Sequence, residues 1–216
     1  MRLILVLFST LILSLASFGQ QLRADLFLDE FMISFNKTTV ATLTTLPKSG
    51  FGLAGYHAFY KEKQANFVIG IEYNHTRQIK TETYEGNLAT GGAMLYKINS
   101  IGVPLLFRLN AGEKIKGFVD LGGYIDVNFW SKRTGLISSF VPNENGVMQP
   151  KVYEVDEIAD IAAPNAGPLL GIGIKVPYSF YELILKFDYK LGLVRLDSYH
   201  SNIYNSYFRV SAGIRF

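Results

Sequence analysis

The 216-residue chain has no cysteine, so neither disulfides nor thiolate metal sites hold it together. It carries little net charge: removing Arg2, the one ionisable side chain ahead of residue 20, takes the formal +3 to +2. That is too small an excess to point to nucleic acid as a partner. Beyond Gln21 there is no apolar run near the roughly 20 residues that a spanning helix needs, and helical periodicity is hard to find. With only three histidines, material for a metal or acid–base centre is scarce.

At the N-terminus Arg2 precedes a mainly apolar run, Leu3 to Leu13, followed by Ser14, Ala16, Ser17 and Gly19. Charged, then apolar, then small residues make a secretory signal over 1–19, cleaved before Gln20, because the apolar core is too short to stay as an anchor. No cysteine follows to carry acyl chains. The remaining 20–216 are enough for a single domain.

What the chain does have is 13 Tyr, 16 Phe and 20 Gly, arranged in period-two alternation. In Phe180 to Val194, Tyr181, Leu183, Leu185, Phe187, Tyr189 and Leu191 oppose Glu182, Lys186, Asp188 and Lys190. The same pattern appears in Tyr207 to Phe216, with Phe208, Val210, Ala212, Ile214 and Phe216 opposing Arg209 and Arg215, and in Gly117 to Trp130, where Val119, Leu121, Ile125, Val127 and Phe129 oppose Asp120, Asp126 and Asn128. Phe67 to Tyr73 (with Glu72 inward), Ile101 to Leu109 (with Arg108) and Gly167 to Val176 (with Lys175) add three strands, and Phe51 to Tyr60 a less regular one. A first strand within about Leu26 to Asn36 makes the count even. Tight turns at Lys61–Ala65, Asn110–Ile115 and Pro177–Ser179 alternate with longer polar connections at Lys37–Gly50, Lys80–Leu95, Ser131–Asn165 and Arg195–Tyr204.

These features predict an all-β fold, an eight-stranded antiparallel up-and-down transmembrane β-barrel of the bacterial outer membrane, with short periplasmic turns and long external loops. A soluble lipocalin-like barrel is the rival architecture. Lipid is favoured by aromatic residues spaced eight apart: Phe51 with Phe59, Tyr181 with Tyr189, Phe208 with Phe216. Eight steps of roughly 3.3 Å, tilted about 40°, rise about 20 Å, close to the height between two aromatic girdles. Phe67, Tyr73 and Phe129 complete the expected girdle. The polar faces hold Glu72, Asp120, Asp126, Glu182 and Asp188 against Arg108, Lys175, Lys186, Lys190, Arg209 and Arg215. So nearly balanced a set suits a lumen filled by cross-strand ion pairs, because eight strands leave room only for side chains.

Ser100 to Leu109, SIGVPLLFRL, then Gly117 to Phe129, GFVDLGGYIDVNF, and the terminal FRVSAGIRF resemble the outer-membrane barrel family labelled PorT-like or porin-family, and more distantly the OmpA and OmpX barrels. The resemblance implies a barrel without catalytic residues or cofactor, inserted by the barrel-assembly machinery, with terminal Phe216 as the assembly signal. Its partners would then be outer-membrane lipid and an extracellular or periplasmic ligand.

Two other chemistries find part of their material in the sequence. His200 with Asp197, Ser198 and Ser201, or His75 at a strand end, offers the elements of a rim hydrolase or acyltransferase, but no nucleophile motif accompanies them. Glu144, Glu154, Asp156, Glu157 and Asp160 lack calcium-loop spacing and read as a solvated acidic loop, within which Val141–Val152 forms a turn-rich projection. The expectation is therefore a non-enzymatic barrel with its external loops as a binding surface. The alternatives are an envelope-assembly or secretion component acting through the periplasmic turns, and a narrow channel.

Overall fold

The computed structural model describes residues 28–39, 45–60, 64–84, 90–159, 161, 164–194 and 205–216, and among these all regular structure is strand. The proposed signal segment 1–19, the Arg195–Tyr204 connection with His200, Asp197, Ser198 and Ser201, and Asp160 lie outside the described residues. The strands are β1 (Glu30–Thr38), β2 (Thr45–Phe59), β3 (Ala65–Tyr84), β4 (Thr90–Ala111), β5 (Lys116–Pro142), β6 (Met148–Ile158), β7 (Asn165–Tyr178), β8 (Tyr181–Lys190) and β9 (Tyr207–Arg215).

Eight of the nine form a closed antiparallel ring. Each pairs with its neighbours in the order β1, β2, β3, β4, β5, β7, β8, β9, and β9 returns to β1 through pairs such as Ile33 with Ala212 and Ser34 with Ser211. The expected first strand is present as β1, displaced toward the C-terminal side of its predicted window. Its sequence EFMISFNKT alternates inward Glu30, Met32, Ser34 and Asn36 with outward Phe31, Ile33 and Phe35. Closure gives every strand of the ring two partners and removes the open edge that a flat sheet would leave.

One end of the ring carries the tight turns. The β7–β8 hairpin closes through Ser179 and Phe180, with Ser179 at φ 56°, and the β4–β5 turn uses Gly112 at φ 100°, backbone that an L side chain rarely adopts. The other end is not the set of loops expected from sequence. Ser131–Asn165 is mostly strand: β5 continues to Pro142, turns through Asn143–Val147 and returns as β6, with pairs from Lys132–Ile158 to Pro142–Met148. Strands β3 and β4 rise beside it, pairing as far as Tyr84 with Thr90, so Lys80–Leu95 is a hairpin end too.

Two bulges mark where the ring gives way to this projecting sheet. The register shifts between Lys48 and Phe51 in β2 and opposite Asn99–Ser100, where Phe129 is the extra residue of β5. A bulge adds one residue to one strand and reverses which side chains face in. Inward residues of β5 are even-numbered below Phe129 and odd-numbered above it, which is why simple alternation fails at Ser131.

Below the bulges the usual arrangement of a soluble protein is inverted. The ring's interior buries charged and polar side chains, whereas Leu53, Phe59, Phe67, Ile71, Val103, Leu121, Ile125, Leu170, Ile172 and Phe187 are all exposed on its outer wall. Apolar interior is confined to a cluster including Met32, Tyr56, Val68, Leu106, Phe118 and Ile184. Above the bulges Met94, Tyr96, Ile98, Ala159 and Ile161 form a second buried cluster, against which Ile137 and Val155 pack.

Candidate functional site

The lumen is filled by one connected set of ion pairs. Direct cross-strand register brings together Arg108 with Asp120, Asp188 with Arg209 and Glu182 with Arg215. Shear across the ring adds partners from distant strands. Arg108 holds Asp120 through two donors at 2.6 and 2.9 Å and donates to Glu30 at 2.5 Å. Lys175 stands 3.5 Å from the same Glu30, and Lys186 joins Asp120 at 2.9 Å to Asp188 at 3.5 Å.

Arg209 then links Asp188 at 2.9 Å to Glu72 at 2.8 Å, and Lys190 links Glu72 at 2.6 Å to Asp126 at 3.0 Å. Tyr56 donates to Glu72 Oε1 at 2.5 Å beside the Arg209 donor, and Tyr207 donates at 3.1 Å to Asp126 Oδ2, the oxygen that Lys190 leaves free. Near the turn end, Glu182 takes Arg215 at 2.9 Å and Lys116 at 3.2 Å. Rings supply further contacts, with the Arg108 guanidinium 4.3 Å from the Phe118 centroid and the Lys190 ammonium 4.4 Å from that of Tyr124.

Space for these groups comes from inward glycines. A Cβ on Gly102 would fall 2.0 Å from the Asp126 carboxylate, and one on Gly171 would meet Lys186, Asp188 and Asp120. Arg108, Asp120, Asp126, Asp188 and Lys190 are 0% exposed. Burial of so many charges is tolerable only because each has an opposite partner, and most have hydrogen bonds as well, Lys186 being held by its ion pairs to Asp120 and Asp188. Glu30, Glu72, Asp120, Asp126 and Asp188 face Arg108, Lys175, Lys186, Lys190 and Arg209, equal in number and opposite in sign.

All eleven charged residues singled out in the sequence thus fall in this network, with Glu182 and Arg215 at its less buried end. Sequence reasoning missed Glu30, Tyr56 and Tyr207. Glu30 was visible in the β1 alternation, but Tyr56 and Tyr207 look like any other strand tyrosine until the cross-lumen geometry gives their hydroxyls a purpose.

Of the aromatic set, Phe51, Phe59, Phe67, Phe129 and Phe208 are exposed on the outer wall, while Tyr73, Tyr189 and Phe216 are half-buried. Tyr181 differs: it is buried against Ile214, with the rings of Tyr178 and Phe180 at 5.5 and 5.1 Å. The rings cluster at two levels, Phe51–Tyr73–Phe129 just below the bulges and Phe67–Phe107 toward the turn end. Phe216 lies where the ring closes, its N–H donating to the Asp29 carbonyl at 3.0 Å.

His75 sits on the outer wall with Nδ1 2.9 Å from Asn99 Oδ1, and His57 pairs with Asp29 at 3.0 Å. Neither faces a nucleophile in these contacts. In the projecting sheet Asp156 pairs with Lys132 at 2.7 Å, and Glu157 with Arg133. Those acids belong to a strand whose partner strand carries the matching cations, not to the loop expected from sequence.

No protein-family model matches the chain, and no curated protein does. Solved structures do. Neisserial surface protein A from Neisseria aligns at TM-score 0.46 and 12% identity over 86% of this chain and 93% of that one. Ail, the attachment invasion locus protein of Yersinia pestis, aligns at 0.36 and 14% over 88% and 99%. The N-terminal β-barrel domain of Pseudomonas aeruginosa OprF aligns at 0.36 and 9% over 88% and 98%. At this distance, what the barrel does has to be read from its own residues.

Proposed function

We propose that the chain is a non-enzymatic integral barrel of a bacterial outer membrane, in which the ionic lumen is a structural spine and the projecting β3–β6 sheet is a binding surface outside the cell. The inversion of burial supports this most directly. An outer wall of exposed Leu, Ile, Val and Phe around the whole ring far exceeds the few hundred Å² of contiguous apolar surface that monomeric soluble proteins leave in water. Hydrocarbon is the solvent that favours it, and a charge placed there would cost about 2–4 kcal/mol at mid-depth. A lipocalin-like barrel would carry the opposite pattern, apolar inside and charged outside. The two aromatic levels fit the two lipid–water interfaces, and the likeness of Ser100–Leu109 and Gly117–Phe129 to PorT-like barrels agrees with the same placement.

The binding surface rests on β6. It pairs with β5 along one side only, and among the described residues its other side has no strand partner. An unpaired edge presents backbone donors and acceptors in a row, which suits a partner binding in extended conformation. Val152 and Ile158 are well exposed beside it.

Because the chain lacks cysteine, single cysteines report sidedness cleanly. Val152→Cys should react with a membrane-impermeant maleimide on intact cells, and Ser179→Cys only after the outer membrane is opened. The same protein should migrate faster unheated than heated on gels. Labelling of Ser179→Cys alone on intact cells would reverse the orientation, and a stable monomer without amphiphile would end the membrane reading.

A further inference from the structure

The outer wall just above the bulges carries a feature that neither the lumen nor the β6 edge explains. Lys48 lies directly opposite Arg77, Arg77 opposite Lys97, and Lys97 opposite Lys132. Four cations thus stand in one cross-strand row over β2, β3, β4 and β5. Exposed Lys37, which opposes Ser49, extends the row to β1. Directly opposed residues share a face and sit about 5 Å apart, so like charges there repel and destabilise the pairing. Lys132 is relieved by Asp156 at 2.7 Å. Among the described residues no carboxylate pairs with Lys48, Arg77 or Lys97, and the Arg77 Nε is buried with no hydrogen-bond partner.

Position gives the row its meaning. The row directly below is Phe51, His75, Asn99 and Trp130, two residues down β3, β4 and β5 and three down the bulged β2, and Phe51 also meets the ring of Tyr73 farther down β3. The next row above is apolar on β2, β3 and β4 (Leu46, Ile79 and Leu95) and continues as Thr134 and Asp156, so its carboxylate is the one already paired with Lys132 and it brings none to Lys48, Arg77 or Lys97. If the aromatic level marks the edge of the hydrocarbon, the cations stand one step of roughly 6.6 Å along the strand farther out. That is the depth of lipid phosphates.

We propose that Lys37, Lys48, Arg77, Lys97 and Lys132 bind phosphate groups of the outer-leaflet lipids, holding the barrel's β1–β5 side against an anionic membrane surface. Several cations in a line meet several phosphates at once, and the Arg77 guanidinium supplies the planar donor pair that phosphate oxygens accept best. The lipid anions would cancel the repulsion that the bare row carries. This inference rests on the outer-membrane reading above.

The test compares full-length protein folded into phosphatidylcholine vesicles with and without a bisphosphorylated glycolipid, read as the temperature at which the heat-dependent gel shift occurs. The phosphorylated lipid should raise the wild-type midpoint by several degrees, and added salt should shrink that gain. Lys48→Gln/Arg77→Gln/Lys97→Gln should fold but lose the gain, while Lys48→Arg/Lys97→Arg should keep it. Free inorganic phosphate in plain phosphatidylcholine should give no gain, since a single soluble anion cannot bridge the row. Equal wild-type midpoints in the two vesicles, a triple variant that keeps the gain, or a full gain from inorganic phosphate would each overturn the assignment while leaving the barrel reading intact. Failure to insert into either vesicle would overturn both.

Discussion

Strand β4 passes through two different environments, and its residues change accordingly. From Ser100 to Arg108 its inward side holds Ser100, Gly102, Pro104, Leu106 and Arg108, and its outward side Ile101, Val103, Leu105 and Phe107. From Met94 to Ile98 the inside turns apolar and the outside becomes mixed: Met94, Tyr96 and Ile98 are buried inside, and Leu95 and Lys97 are outside. The lower part has the pattern of a wall in hydrocarbon and the upper part that of a sheet in water, within one continuous hydrogen-bonded strand. The solvent, not the secondary structure, decides which face is greasy.

The comparison can be broken first in the lumen. Arg209→Met leaves Asp188 and Glu72 buried near each other without their shared cation, and removing one partner of a buried pair typically costs about 3–5 kcal/mol. Urea unfolding in a phospholipid-detergent bicelle should show a loss of that size. A loss under about 1 kcal/mol would mean that water reaches the lumen and screens its charges.

The next test sets one substitution in both environments. Ile71 and Leu136 are similarly exposed, 54% and 57%. If Ile71 faces mid-depth hydrocarbon, Ile71→Arg should destabilise by about 2–4 kcal/mol, whereas Leu136→Arg on the projecting sheet should stay within about 0.5 kcal/mol, as surface changes do. Equal effects would erase the boundary at the bulges.

The smallest expected effect sharpens the boundary from above. Ile98→Val trims a buried methylene from the projecting cluster, a change of about 0.5–1.5 kcal/mol. Read by amide exchange, it should loosen Met94–Ile98 and the facing Ser131–Gly135 while leaving Gly102–Arg108 unchanged. Faster exchange throughout the ring would show that the two regions unfold as one.

Much of the ring was legible because alternation is local. Tyr181 to Lys190 declares both of its faces within ten residues. The β5–β6 hairpin was not legible, since the extra Phe129 shifts the phase and Ser131 to Val141 mixes polar and apolar residues on both faces. The ion-pair residues could be recognised as inward, but not who meets whom. Arg209 finds Glu72 across 137 positions of sequence and Arg108 finds Glu30 across 78, and such meetings depend on the stagger of the closed ring.

By itself the sequence determined the strand type, the in-or-out side of most ring residues and the near-balance of lumen charge, because a period of two is written residue by residue. Only the tertiary structure decided the height of the bulges, the extension of three strands into a sheet, and the line of cations from β1 to β5. Those depend on register between strands, which is set by how the ring closes and is not recorded in any one strand.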